Sequence, residues 1–190
     1  MYKEHLFGEK YERDMFKLLV DTNTFQAFCR KLVKCSKIKD DPNKYLGDGF
    51  EWFVNEFLWL FQFDKKVGVY DYEVWEEEDT GIDGTGVNMN GDLSVVQVKF
   101  RTNVTTELTA NTDHLSNLVT AGLVHKNVVM DTENPKNFRH FVFTNAKGLH
   151  WYTDSMMFNG RVSCFDNKKF KKMLDNNFRF WNQMRESNVV

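Results

Sequence analysis

Apolar residues recur every three or four positions through the first part of the chain: Tyr11, Met15, Leu18 and Leu19, then Phe25, Phe28, Leu32 and Val33. That spacing gathers side chains on one helical face, so residues 1 to about 45 read as charged helices with a single apolar side. Thr24 suits the N-cap of the second, because its hydroxyl can accept from an amide of the first turn. Asp41-Pro42-Asn43 interrupts the pattern and predicts a turn. Gly47-Asp48-Gly49 then introduces a strongly apolar helix from Phe50 to Phe63, with Phe50, Phe53, Val54, Phe57, Leu58 and Phe61 on one broad side. Its acids are Glu51 and Glu56. Glu51 shares a stripe with Val54, Asn55 and Leu58, close to the buried side.

The period changes to two after this helix. Val67 to Glu76 alternates as a strand does, and the acidic run Glu76 to Asp79 reads as a solvated turn. Gly81-Ile82-Asp83-Gly84 leads into Val87-Asn88-Met89, and Asn90-Gly91-Asp92 is a strong hairpin signal. The strand Leu93 to Arg101 returns from that turn. A helix is expected over 108–125, with Leu108, Leu115, Leu118, Val119 and Leu123 on one side. Short strands follow at Asn127 to Met130, Phe138 to Asn145 and Arg161 to Phe165, with a polar loop from Asp131 to Asn137. Asp166 then caps a last helix, Lys168 to about Glu186. The order predicts an α/β fold: a mixed central sheet flanked by helices, the Asn90-Gly91 hairpin feeding the core strand. No repeat or linker interrupts it. A single domain is expected over 1–190, with a helical N-terminal extension over 1–45, a core over 46–145, and a C-terminal strand and helix over 146–190.

Composition narrows the partners more than the fold. Lys and Arg number 25 against 27 Asp and Glu, so contact with a polyanion requires a local patch rather than global charge. Arg101 and the basic 168–179 helix, Lys171 and Lys172 above all, are candidate phosphate contacts. Lys31, Lys34, Lys37 and Lys39 read first as the solvated C-terminal end of a helix, with a DNA-facing role as the alternative. Eighteen phenylalanines and only two prolines argue against disorder. Cys29, Cys35 and Cys164 form no CxxC pair and read as free thiols of a reducing compartment. No run is apolar enough to cross a membrane, and the N-terminus lacks the apolar core of a signal peptide. A cytoplasmic location is expected.

The chemistry concentrates in one stretch. Val95, Val96, Val98 and Phe100 surround Gln97 and Lys99, whose side chains share a face because they lie two apart in a strand. An ammonium among apolar neighbours needs an anionic partner, since burying it unpaired is costly. A helix glutamate, an aspartate opening a hairpin and a Gln-x-Lys strand offer oxygen ligands for a hard cation such as Mg²⁺, with a lysine beside it. That combination suits phosphodiester hydrolysis.

These residues give the chain its resemblance to a known family. Gly49-Phe50-Glu51, Gly81-Ile82-Asp83-Gly84 and Gln97-Val98-Lys99, in this order, resemble the PD-(D/E)XK nuclease superfamily and, within it, the Mrr-like restriction-endonuclease branch. The similarity covers roughly residues 45 to 145. It implies a restriction-endonuclease-like fold and a Mg²⁺-dependent DNA endonuclease in which Mn²⁺ substitutes. Asp83 would be the metal ligand, Lys99 the catalytic lysine and Gln97 an amide ligand where many relatives carry Glu. Glu51 would complete the shell directly or through water. A homodimer through the aromatic C-terminal helix, with Phe178 and Trp181, would serve a double-strand cut; core packing is the equal alternative for those residues. The alternative is a catalytically weak or inactive nuclease-fold protein that binds nucleic acid or acts as a scaffold. Rival motifs fit less well. Asp79-Thr80-Gly81 matches an aspartic-protease triplet but follows charges rather than an apolar strand. Asp79 to Asn90 places a calcium-loop glycine sixth without acids at the third and twelfth positions.

Overall fold

The computed structural model of the chain describes residues 9–75, 81–120, 122, 139–157 and 162–186. Its helices are α1 (Glu9–Leu19), α2 (Phe25–Ser36), α3 (Pro42–Leu60), α4 (Trp151–Met157), α5 (Asn167–Leu174) and α6 (Phe178–Glu186). Residues 115–120 are also helical. The strands are β1 (Tyr70–Val74), β2 (Gly84–Val87), β3 (Leu93–Lys99), β4 (Glu107–Leu108), β5 (Arg139–Thr144), β6 (Gly148–Leu149) and β7 (Val162–Phe165). The chain divides into two units, Met1–Glu56 with Lys168–Val190, and Phe57–Asn167.

The first unit is helical and packed on phenylalanine. Phe25 stacks on Phe170 with centroids 4.5 Å apart, and Phe28 on Phe53 at 4.3 Å. Thr24 caps α2 as expected, its hydroxyl accepting from the Ala27 amide at 3.1 Å. The turn expected at Asp41-Pro42-Asn43 is instead the start of α3. Asp41 Oδ1 accepts from the Lys44 amide at 2.9 Å, and Pro42 occupies the first turn, where a missing N–H loses no bond. Gly47 and Gly49 therefore lie inside the helix. At Gly49 a Cβ would sit 2.6 Å from Leu32 Cδ1 and 3.0 Å from Met15 Sδ, so this glycine permits close helix packing. Gly49→Ala is expected to lower the melting temperature, because overpacking of about 1–3 kcal/mol outweighs the roughly 1 kcal/mol gained in helix propensity. A raised melting temperature would show that Leu32 gives way freely.

The single last helix is also corrected, to two. Asn176 takes a left-handed φ of 64°, a conformation asparagine tolerates better than most residues. Asn177 Oδ1 then accepts from the Phe180 amide at 3.1 Å and caps α6. Trp181 is buried in this unit and donates Nε1 to Leu174 O at 2.8 Å, whereas Phe178 is 60% exposed.

The second unit carries the sheet, five strands in the order β1-β2-β3-β5-β7. β1, β2 and β3 pair antiparallel; β3, β5 and β7 pair parallel. The hairpin forms where Asn90-Gly91 predicts it. Gly91 adopts φ 79°, and Asn88 Oδ1 accepts from the amides of Asn90 at 2.8 Å and Asp92 at 3.0 Å. Leu93, Val95, Val142 and Val162 cluster with Leu115 and Leu118 of the helical segment. Phe57 of α3 meets Phe143 and Phe165 at 6.3 and 5.2 Å, and those two, in register on β5 and β7, point to the opposite face. The expected mixed sheet flanked by helices is what the chain forms.

The helix expected over 108–125 begins only at Leu115. Glu107–Leu108 pairs instead with Gly148–Leu149 as a short parallel ribbon, a pairing set by tertiary contact that no local period announces. α4 was likewise not anticipated. β1 starts later than Val67, after Gly68 at φ 80°. The acidic run 76–79, the strand expected over 127–130 and the loop over 131–137 lie outside the described residues. No helix among the described residues is long and apolar enough to cross a membrane.

Candidate metal and phosphate site

Asp83 sits just before β2, in a backbone tied on both sides. Its amide donates to Val96 O at 2.9 Å, its carbonyl accepts from the Trp75 amide at 3.2 Å, and Tyr72 donates its hydroxyl to the same carbonyl at 3.3 Å. Regular β2–β3 pairing ends at Gly84 opposite Val96. Beyond it the Asp83 side chain replaces a main-chain partner, Oδ2 accepting from the Val98 amide at 2.5 Å. Val98 lies between Gln97 and Lys99, so the carboxylate is held against the segment that carries both. Burial pushes the Asp83 pKa up, opposed by the Val98 amide and by the Lys99 charge.

Gln97 is 1% exposed, and its Oε1 is buried with no hydrogen-bond partner. An amide oxygen left in that state costs about 1–3 kcal/mol. Such an atom is suited to a ligand that brings its own positive charge. Lys99, half-buried, ends β3 beside Thr144 of β5. Gln97 and Lys99 share the β3 face that also carries Val95, and Val95 belongs to the apolar cluster with Leu115 and Leu118.

Asp83, Gln97 and Lys99 thus all belong to the second unit, where the Lys99 charge acts on the Asp83 carboxylate. Glu51 belongs to the other, half-buried on α3. There it is one of the charges that add to burial in raising the pKa of Tyr11, whose hydroxyl donates to Tyr45 O at 3.0 Å. Glu56 is buried on the same helix. Arg101, expected as a phosphate contact, donates from its guanidinium to Asp113 and, at 2.8 Å, to Phe100 O. Lys171 is half-buried and Lys172 exposed on α5. Asp113 and Asn145, which fix the chain after Lys99, were not singled out in the sequence, because their partners are set by long-range contact.

The donor set is small. Among the described residues no group of three His, Cys, Asp or Glu is placed to hold a metal ion. One carboxylate oxygen free of the Val98 bond and one unpartnered amide oxygen nevertheless fit a cation that keeps most of its waters, as Mg²⁺ does with one or two protein carboxylates.

No protein-family model matches the chain, and no curated protein sequence does. Partial likeness is found to solved structures. One is a repair endonuclease from Pyrococcus abyssi, 17% identical, covering 60% of this chain and 46% of that one, with a TM-score of 0.40. Another is the MspJI restriction endonuclease with a 27-mer oligonucleotide, 12% identical, covering 86% and 35%, with a TM-score of 0.47. A third is the EndoMS-dsDNA2 complex, 14% identical, covering 60% and 43%, with a TM-score of 0.34. The chain spans less than half the length of each.

Proposed function

We propose that the protein is a metal-dependent DNA endonuclease. The observation that carries this reading is the buried, unpartnered Oε1 of Gln97, on the strand whose Val98 amide holds the Asp83 carboxylate and which ends in Lys99. The resemblance of these residues to PD-(D/E)XK motifs supports it. Asp83 and Gln97 would hold Mg²⁺ or Mn²⁺, which when bound supplies a Lewis acid and lowers the pKa of water. Asp83 is kept in place by the Val98 amide, so its carboxylate needs no rearrangement to act. Lys99 would orient the attacking water or stabilise charge gathering on the phosphate oxygens, from a strand that reorganises little during the reaction. The apolar surroundings strengthen each of these interactions by excluding water.

A second reading has an observation of its own. With one carboxylate in the strand constellation and no three-ligand cluster of His, Cys, Asp or Glu among the described residues, the fold also suits a nucleic-acid-binding module without cleavage. Nicking of supercoiled plasmid in Mg²⁺ or Mn²⁺, lost with chelator, separates the two. DNA binding with no nicking in either ion would favour the second.

Gln97→Glu is expected to raise Mn²⁺ affinity, by placing a second carboxylate where the neutral amide stands. The ion-free protein should lose stability, since two buried carboxylates repel. Calorimetric titration giving wild-type affinity would remove Gln97 from the ligand set.

Affinity for DNA rests largely on phosphate neutralisation. Lys171→Glu with Lys172→Glu is therefore expected to weaken binding, and to reduce the salt slope by roughly one per lost phosphate contact. Binding unchanged across salt concentrations would return α5 to a solvated face. A double-strand cut needs two sites or two visits by one, and an isologous dimer is the usual solution. Exposed Phe178 is available to such an interface, whereas Trp181 is spent on the core.

A further inference from the structure

We infer that Asn145 is a positioning residue for Lys99, a clamp that continues the β3–β5 pairing past the point where the strands end. The inference rests on Lys99 being the residue that meets phosphate. The backbone ladder stops at Lys99 opposite Thr144. Asn145, the next residue after β5, turns its side chain to Arg101. Its Oδ1 accepts from the Arg101 amide at 2.6 Å, and its Nδ2 donates to Arg101 O at 2.7 Å. One side-chain amide thus satisfies both main-chain groups of one residue, as a paired strand would.

The clamp is itself fixed. Asn145 is 1% exposed, and its carbonyl accepts from Asn167 Nδ2 at 2.8 Å. The Asn167 amide donates to the neighbouring Ala146 O at 3.0 Å. Arg101 is held a second time through its guanidinium by Asp113, which is 3% exposed. The other Asp113 oxygen accepts from the Thr109 amide at 2.5 Å and the Thr112 hydroxyl at 3.1 Å. A residue needed only to fill space here would carry no polar atoms, since an unpaired buried amide is costly. Both polar groups of the Asn145 side chain are used on Arg101. Strand ends open more readily than strand centres, and Lys99 is the last paired residue of β3. Its ammonium hangs on a flexible four-carbon stem, so its aim depends on that backbone staying paired.

The test uses Asn145→Ala and Asn145→Asp in the full chain, with hydrogen exchange at Arg101, Lys99 side-chain order by nuclear magnetic resonance, Mn²⁺ affinity, and kcat and KM on plasmid DNA. In Asn145→Ala the Arg101 amide should lose protection and Lys99 gain mobility, while Val95 and Val96 stay protected. The Mn²⁺ Kd and the KM for DNA should hold, and kcat should fall by as much as about 10²-fold, the scale of a small misplacement of a reacting group. Asn145→Asp keeps an acceptor for the Arg101 amide but at neutral pH cannot donate to Arg101 O, so half of the clamp is lost and Lys99 should gain mobility while Arg101 protection holds. Protonation restores the donor to Arg101 O, so Lys99 order should tighten as pH falls, which a space-filling role would not produce. Should the alanine variant fail to fold, the aspartate variant decides alone. Wild-type Arg101 protection in the alanine variant, or wild-type Lys99 order at neutral pH in the aspartate variant, would overturn the clamp, as would a wild-type kcat despite lost protection. A wild-type protein that cuts no DNA would sink the endonuclease reading, and the exchange and resonance measurements would still decide the clamp.

Discussion

Asp83→Ala is expected to abolish metal-dependent nicking and to leave DNA binding intact or stronger. The substitution removes the principal ion ligand and, with it, a negative charge near the path of the phosphate. It also strips the Val98 amide of its acceptor, a loss of about 1–3 kcal/mol for a buried donor, so some thermal destabilisation should accompany it. Asp83→Asn separates the two effects, since its amide oxygen can still accept from Val98 while the charge is gone. Nicking at the wild-type rate in either variant would mean that the active site lies elsewhere.

The titration of Asp83 gives this expectation a pH signature. Its folded pKa is raised above the ordinary 3.8, chiefly by burial. A folded acid with a raised pKa contributes stability that is fully present below the unfolded pKa and is lost as pH rises through the folded one. The ion-free protein should therefore lose stability as pH climbs from the ordinary carboxylate range through the raised value. Metal binding requires the carboxylate, so added Mn²⁺ should restore stability over the upper part of that range. Thermal unfolding with chelator and with Mn²⁺ measures both trends. Identical pH dependence for wild type and Asp83→Asn would contradict this account.

Lys99→Ala should cut the rate by ~10²–10³, typical of deleting one preorganised electrostatic stabiliser. Metal affinity should barely change, because an ammonium is not a ligand. The Asp83 pKa should rise further, since the Lys99 charge now holds it down. This pairing of effects sets the two residues apart: the aspartate variant loses metal and rate together, the lysine variant rate alone. Calorimetry beside single-turnover cleavage distinguishes them, and a lysine variant that loses Mn²⁺ binding would overturn the assignment.

How much of this was legible in the sequence depended on how local each signal was. Asn90-Gly91 fixed the hairpin because the turn chemistry is contained in four residues, and Gln97-x-Lys99 declared a shared face because strand period is two. Thr24 announced its cap for the same reason. The misreadings came where a residue has two uses. Asp41-Pro42 serves a turn or a helix start, and Gly49 breaks a helix or lets one approach another; only the Leu32 and Met15 side chains beside it decide. Asn176 and Asn177 hid a helix break inside a continuous apolar period. Asn145 and Asp113 carried no signal at all, because their partners are 44 and 12 residues away in sequence.

β3 is buried on both faces from Leu93 to Val98, so its apolar residues alone do not say which face belongs to which neighbour. A slip of one position would exchange Val95 for Val96 with little change in hydrophobicity, while turning every side chain over. It would also send Lys99 to the face that carries Phe143 and Phe165, where Phe57 packs on their rings and a buried ammonium is costly. Gln97 and Lys99 are thus the punctuation that makes this strand readable in one frame only. The hairpin can exchange residues at its tip without disturbing that frame, but a single insertion between Leu93 and Gln97 would scramble it. The residues proposed for chemistry are the same ones that tell the sheet how to align.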